Sequence, residues 1–242
     1  ESMRTLFLAG LAFLACAQPQ SESFFPTSES IEAQMRLQPA PDEPQPLALT
    51  DHVGGFWQGI AFGANSPAAP YNRRGGYTLN GEVSLCDFFI EYNGMPLDVR
   101  RAASLQVTPW QWRYDWAFGP RLALTVMRGT PGLVLTLENA RGRIRWTPVF
   151  AEDLQVEADS VAANMQLYRF EHTDLCMLVA APAAIEAPVT PRLFADMGER
   201  PAGPTLEFAA KKRAQLLVLF GYEPDNMQRW AAQVDVESEL AA

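Results

Sequence analysis

The sequence predicts an all-β protein, a two-sheet antiparallel sandwich that ends in one helix. Between residues 53 and 223 the chain consists of short apolar or alternating runs, each bounded by glycine, proline or charged residues. This is the pattern of consecutive β-strands. So many strands exceed what one open antiparallel sheet of ordinary size holds, and two packed sheets bury them better. Helical patterns are scarce before residue 224.

The most specific strand signal is the segment FFIEYNGMPLDV, residues 88–99. Asn93 and Gly94 both tolerate a positive φ, so they predict a two-residue type I′ turn. The flanking runs, 89–92 and 95–99, then form the two strands of a hairpin. Further strands are predicted from seven apolar runs: RLALTVMRG, GLVLTLENARG, RIRWTPVFAED, MQLYRFEH, LCMLVAA, TLEFAAKK and AQLLVLFGYE.

The segment PWQWRYDWAFG, residues 109–119, places Trp110, Trp112, Tyr114 and Trp116 at every second position. On an extended strand these four rings share one face. If exposed, that face would be a platform on which sugar rings stack; if buried, it would fill the inside of a sandwich. We expect the buried arrangement, because a long exposed row of large aromatic side chains lowers solubility.

Residues 224–242 predict the beginning of a helix that leads onward. Pro224 suits the first helical turn, and Met227, Trp230 and Val234 recur at spacings of three and four residues. Neither a glycine nor a proline closes the pattern before the last residue. We therefore expect a linker helix toward a further domain.

The first 17 residues have the composition of an export signal. An arginine precedes the apolar run LFLAGLAFLA, which is too short to cross a bilayer as a helix. Two processing routes remain open, because ACA at 15–17 fits a small-residue cleavage site, whereas LAC at 14–16 resembles a bacterial lipobox with Cys16 as the lipidated residue. The polar, proline-rich segment 18–50 predicts a tether. It favours the lipoprotein route, with a periplasmic or outer-membrane location.

Composition and charge narrow the possible functions. A formal net charge of −9 argues against a nucleic-acid partner, which needs a basic surface. The sequence has no dinucleotide fingerprint or P-loop, and its two histidines, His52 and His172, lie far apart, so we expect no cofactor and no metal site. In an oxidising compartment Cys86 and Cys176 either form a disulfide or remain two separately buried thiols.

Four segments, taken in order, resemble the N-terminal β-supersandwich domain of glycoside hydrolases and disaccharide phosphorylases whose catalytic part is an (α/α)6 barrel. They are FFIEYNGMPLD at 88–98, VTPWQWRYDW at 107–116, GLVLTLENARG at 132–142 and AQLLVLFGYEPDNMQRWAAQVDVESELAA at 214–242. The first is similar to the strand, turn and NGxPLD edge of that family, and the last to its closing strand and linker helix. The resemblance covers about residues 53–242.

The resemblance implies a β-supersandwich over residues 51–223 that packs against its own C-terminal barrel and shapes one wall of a sugar cleft. In that family the general acid and its partner carboxylate belong to the barrel, so the resemblance implies no catalytic residue in this chain. The expected partners are a carbohydrate and the barrel, with membrane contact only through the lipid anchor. Asp87 and Glu91, four apart on one strand, are interpreted as surface charges.

Substrate contacts are predicted at Trp57 and in the loop GANSPAAPYNRRGG, which carries Tyr71, Arg73 and Arg74. A long glycine-rich loop with aromatic and basic residues is typical of a binding loop. The alternative for this loop is an ordinary surface connection without a ligand.

Two other functions stay open at this point. One is a free-standing carbohydrate-binding lipoprotein that displays the aromatic row. The other is an enzyme similar to aldose epimerases, which use histidines with a glutamate as acid and base, although neither His52 nor His172 lies in a recognisable motif. Hydrolysis by this chain alone would need two carboxylates across a cleft, and its 28 acidic residues single out no pair.

Overall fold

The computed structural model of the chain describes residues 36–37, 45–62, 76–150, 155–171, 173–189 and 203–236. Within these ranges the chain forms eighteen β-strands and one α-helix of ten residues. The prediction of an all-β sandwich with a C-terminal helix is confirmed.

The described elements are numbered in the order in which they occur along the chain. In chain order they are β1 (Arg36–Leu37), β2 (Pro46–Thr50), β3 (Gly55–Ile60), β4 (Gly76–Leu79), β5 (Glu82–Leu85), β6 (Asp87–Tyr92), β7 (Met95–Pro96), a 3-10 turn (Val99–Arg101), β8 (Ser104–Val107), β9 (Gln111–Asp115), β10 (Arg121–Val126), β11 (Gly132–Glu138), β12 (Gly142–Val149), β13 (Val156–Ala162), β14 (Met165–Phe170), β15 (Cys176–Ala180), β16 (Glu186–Val189), β17 (Thr205–Ala210), β18 (Arg213–Gly221) and the helix α1 (Pro224–Gln233).

The strands pair antiparallel in three hydrogen-bonded sheets, where the sequence predicted two. One sheet has nine strands in the order β1-β8-β9-β10-β11-β18-β15-β14-β13, a second has five in the order β16-β17-β12-β6-β7, and a third has four in the order β2-β3-β4-β5. The chain passes from β5 to β6 with only Cys86 between them. A change of pairing partner inside one extended run leaves no mark in the sequence, which is why the number of sheets was underestimated.

Side chains from all three sheets meet in one core. Its largest fully buried members include Trp146 from the five-stranded sheet, Tyr77 from the four-stranded sheet and Tyr168 from the nine-stranded sheet. The Tyr77 ring stacks on Phe220 of β18, with ring centroids 4.1 Å apart. Large aromatic groups therefore hold the sheets together, since each removes much apolar area from water.

The predicted hairpin turn is confirmed. Asn93 and Gly94 have φ values of +50° and +79°, and the strands on either side, β6 and β7, are paired. The second strand is shorter than predicted, because Asp98 ends the extended run: its carboxylate accepts a hydrogen bond from the Arg100 backbone N–H at 3.0 Å and caps the 3-10 turn.

Two strands lie inside the segment 18–50 that was predicted to be a tether. β1 pairs with β8 and β2 pairs with β3, so the sandwich begins before residue 51. Leu49 of β2 is buried in the core, and Pro46 takes the first position of the strand, where a missing N–H is tolerated. The alternation of Leu47 and Leu49 outweighs the proline-rich composition here. Residues 1–17, with Cys16, lie outside the described residues.

Helix α1 packs on the outer face of the nine-stranded sheet, against β15 and β18. Pro224 begins the helix, as predicted, but the helix ends at Gln233 and Val234 is extended, so it is shorter than the predicted range 224–242. Met227 is buried in an apolar cluster with Leu178, Leu217 and Leu219 of the sheet. In the described part of the chain, no helix combines the length and the apolar character that crossing a membrane requires.

The two cysteines of the sandwich do not form a disulfide, and the alternative of two separately buried thiols is confirmed. Cys86 packs with Phe89 and Val149, whereas Cys176 belongs to the cluster beneath α1. Burial raises the pKa of the Cys176 thiol. A raised pKa favours the protonated thiol over the nucleophilic thiolate.

Candidate functional site

Three of the four rings in the aromatic row point into the core, as predicted. Trp112 and Tyr114 lie on β9, Trp116 follows the strand directly, and all three are buried. The Trp116 indole N–H donates a hydrogen bond to the backbone oxygen of Asp98 at 3.0 Å. Burial also raises the pKa of Tyr114 far above its usual range. These rings therefore do not form a platform for sugar.

Trp110 differs from the other three rings because it lies in a turn. β8 and β9 form a hairpin whose loop residues are Pro109 and Trp110, and the Thr108 backbone N–H donates to the Gln111 oxygen at 2.8 Å to close it. The Trp110 side chain is 46% exposed, and the Arg128 guanidinium lies 5.6 Å from its ring centroid. The expectation that all four rings share the buried face is wrong for Trp110.

Trp57 lies in the core and not on a cleft. Along β3 fully buried and half-buried residues alternate, and Trp57 is one of the fully buried ones at 3% exposure, with its ring centroid 5.5 Å from that of Phe88. A sugar cannot reach this ring, so the position argues against the predicted substrate contact. Tyr71, Arg73 and Arg74 lie outside the described residues, and for them the prediction stays a prediction.

A cluster of charged side chains lies on the outer face of the five-stranded sheet. Glu186, Glu207, Arg145 and Glu91 occupy neighbouring strands in that order, and the strand register places each one opposite the next. Arg143, two residues before Arg145 on β12, projects from the same face. We call these five residues the charged row.

Within the charged row, Arg145 stands between two carboxylates. Its Nε donates a hydrogen bond to Glu207 Oε2, and its Nη1 lies 3.5 Å from Glu91 Oε2. Arg143 Nε lies 2.8 Å from Oε1, the other oxygen of Glu207. The Glu207 side chain is only 4% exposed. A different guanidinium thus contacts each carboxylate oxygen of Glu207. These contacts compensate for the hydration that the carboxylate loses when it is buried.

A cavity of about 370 Å³ opens beside the charged row. It is lined by Glu91, Arg143 and Arg145 together with Asn93 and Gly94 of the hairpin turn. Its size falls in the range of about 300–1,000 Å³ that small-molecule sites occupy. Strand side chains thus form one side of the cavity and the β6–β7 turn forms the other.

The electrostatics of the row favour binding over proton transfer. Burial raises the pKa of Glu207, but the hydrogen bond and the positive charge of Arg145 outweigh burial, so the net pKa lies below its usual value. The hydrogen bond to Glu207 raises the pKa of Arg145. Both groups are therefore charged at neutral pH. A carboxyl group that loses its proton so readily is a poor general acid there.

Sequence reasoning missed most of the charged row. Glu91 was predicted to be a surface charge without a partner, and it lies near the surface. No role was predicted for Arg143, Arg145 or Glu207. The one visible signal was the spacing of two between the arginines on a predicted strand. Their carboxylate partners come from strands more than fifty residues away, and only the register brings them together.

Of the two histidines considered for other chemistry, the structure describes only His52. His52 is exposed in a turn with φ of +65°, and His172 lies outside the described residues. Among the residues that the structure describes, no three or more histidines, cysteines or acidic residues are grouped so that they could hold a metal ion.

No protein-family model and no curated protein sequence matches the chain. Among solved structures, a protein described as a kojibiose phosphorylase from the human microbiome is similar with a TM-score of 0.37 and 8% sequence identity. The match covers 67% of this chain and 26% of that protein, so the chain corresponds to about a quarter of its length.

Proposed function

We propose that this chain is a non-catalytic β-sandwich domain of an exported carbohydrate-active enzyme, and that it packs against a helical barrel which carries the catalytic residues. The proposal rests on the resemblance of four sequence segments, and the strands, turns and helix start within these segments support it. The first forms β6, the turn and β7, the second contains β9, the third forms β11 and the following turn, and the last forms β18 and α1.

The observation that carries the proposal is the inward direction of three of the four rings of the aromatic row. Trp112, Tyr114 and Trp116 are structural parts of the core, so the most conspicuous aromatic segment of the sequence serves the scaffold. The charged row agrees with a non-catalytic role. Its arginines hold Glu207 ionised, whereas glycoside hydrolysis needs one carboxyl group that stays protonated until it reacts.

The experiment is an activity assay on the purified chain. Neutral disaccharides are incubated with it in the presence and absence of inorganic phosphate, and monosaccharide release is measured; sugar mutarotation is followed by polarimetry. We expect neither reaction above the buffer rate. Turnover that disappears in Glu91→Gln or Glu207→Gln would overturn the non-catalytic role.

The second candidate function is a free-standing carbohydrate-binding protein, and the exposed Trp110 beside Arg128 is the observation that favours it. The reading frame downstream of residue 242 separates the two candidates. A continuation with several hundred mostly helical residues supports the first. A stop codon directly after residue 242 supports the second.

Export and lipid anchoring are part of the proposal and depend on the sequence of residues 1–17. Expression of the natural gene in a bacterium, followed by separation of the cell fractions, tests them. We expect the protein in the membrane fraction and its release into the soluble periplasmic fraction in Cys16→Ser. A protein that stays in the cytoplasm in both forms would contradict export.

A further inference from the structure

The cavity beside the charged row has the features of a ligand site that the scaffold role does not require. We propose that it binds a neutral sugar, through hydrogen bonds from Arg143 and Arg145 and to Glu91. The identity of the ligand as a sugar rests on the proposed function, whereas the site itself rests on the geometry described above.

The balance of charge selects a neutral ligand. The carboxylates of Glu91 and Glu207 offset the positive charges of Arg143 and Arg145, and Glu186 lies opposite Glu207 at the end of the row. An anion that approaches the arginines also meets Glu91, and a cation that approaches Glu91 also meets both arginines. A hydroxyl group has no such conflict, because it donates to a carboxylate and accepts from a guanidinium at the same time.

The polar groups of the cavity are held in place before a ligand arrives. Glu207 fixes Arg143 and Arg145, since each arginine forms an ion pair with one oxygen of this buried carboxylate. The Arg143 side chain is nevertheless 59% exposed, so part of its guanidinium remains available to solvent. Fixing these long side chains in advance lowers the entropy that binding would otherwise cost.

The β6–β7 turn forms one side of the cavity, and hydrogen bonds fix part of it. Asn93 accepts a hydrogen bond from the Arg143 backbone N–H and donates one to the Arg141 oxygen, both at 2.9 Å, so its amide is locked against β12. Next to it, no described residue beyond the two chain neighbours of Gly94 has an atom within 4 Å of the place where its side chain would begin. Among the described residues, the cavity therefore has a fixed side at Asn93 and an open side at Gly94.

The test is calorimetric titration of the whole chain with glucose, mannose, maltose and cellobiose, and separately with inorganic phosphate. We expect saturable millimolar binding of at least one sugar and none of phosphate. Arg143→Ala and Glu91→Gln should each weaken sugar binding roughly tenfold, the effect of losing about 1.4 kcal/mol of binding free energy.

Two further variants locate the binding. Arg121→Ala is the matched control and should leave the affinity unchanged. Arg121 is also a half-exposed arginine paired with a carboxylate, at 2.9 Å from Asp115, but it belongs to the nine-stranded sheet. Trp110→Ala should leave the affinity unchanged as well. Loss of binding in Trp110→Ala with retention in Arg143→Ala would move the site to the exposed tryptophan and overturn the proposal.

Two other outcomes would also overturn it. One is the absence of binding by every sugar tested, and the other is binding of phosphate in place of sugar, which would make the cavity an anion site. Neither outcome affects the scaffold role, which the activity assay tests by itself.

Discussion

The outer faces of the two larger sheets differ in polarity: one is apolar and covered by a helix, and the other carries charged side chains. On the nine-stranded sheet, Leu178, Leu217 and Leu219 form an apolar surface that α1 covers with Met227. On the five-stranded sheet, the part near the β6–β7 turn carries the charged row and a cavity. Both faces come from strands whose opposite sides fill the same core.

The difference separates a structural face from a candidate binding face. Apolar side chains on a sheet need a partner element, and the helix supplies it directly after the last strand. Charged side chains on the other sheet satisfy one another and leave their remaining hydrogen-bonding groups at the surface. The following predictions test this contrast, beginning with the largest expected effect.

Removing apolar volume beneath the helix should be the most damaging change. Leu178→Ala is expected to lower the free energy of unfolding by about 2–5 kcal/mol, because the side chain is fully buried and leaves a cavity. Urea denaturation measures the loss. Val53→Ala, at an exposed position, serves as the control and should have almost no effect. A loss equal to that of the control would mean that α1 does not cover this face.

Breaking the charged row should cost less than breaking the apolar face. Arg145→Ala is expected to lower the free energy of unfolding by about 1–3 kcal/mol, because it removes one hydrogen-bonding partner of the buried Glu207 carboxylate. Arg121→Ala, which breaks an exposed pair, should cost about 1 kcal/mol or less. Equal losses in the two variants would show that burial of Glu207 has no energetic consequence.

The wall of the cavity should depend on a glycine at position 142. Gly142 has φ of +115°, and a Cβ there would lie 2.3 Å from Asn93 Oδ1. Gly142→Ala should therefore destabilise the protein by roughly 1–3 kcal/mol and weaken sugar binding. For stability, Gly94→Ala is the matched control, since its φ is also positive but no described residue beyond its chain neighbours lies within 4 Å of the added Cβ. The difference between the two isolates the contact with Asn93, and equal effects would contradict it.

Acid should weaken the charged row by protonating Glu207, and this is the smallest of the expected effects. Because the folded-state pKa of Glu207 lies below its usual value, its contribution to stability is complete above about pH 4.3, the pKa of an unperturbed glutamate. The contribution is lost as the pH falls further. Arg145→Ala should reduce this part of the acid destabilisation in urea titrations. An unchanged pH profile would exclude Arg145 as the cause of the low pKa.

The sequence alone predicted those structural features that depend on a pattern within a few neighbouring residues. The turn at Asn93 and Gly94, the start of α1 at Pro224 and the burial of Trp112 and Tyr114 each follow from chemistry within a few neighbouring residues. Trp110 was misplaced because the alternation alone does not reveal that Thr108 and Gln111 close a hairpin around it.

The rest depended on contacts between distant segments. Trp57 was expected on a cleft because a glycine-rich loop follows it, yet its place on β3 directs it to the core. The charged row needs the register of β12 with β17 and β6, and a shift of one residue would turn its side chains to the other face. No single segment of the sequence contains that information.

One measurement tests the contrast between the two faces most directly: the change in backbone amide chemical shifts when the isotope-labelled chain is titrated with the sugar that binds best. The account predicts that the changes centre on residues 91–94 and 141–146 and leave residues 217–233 unaffected. Changes centred on α1 and the strands beneath it, or on the turn at Trp110, would contradict it.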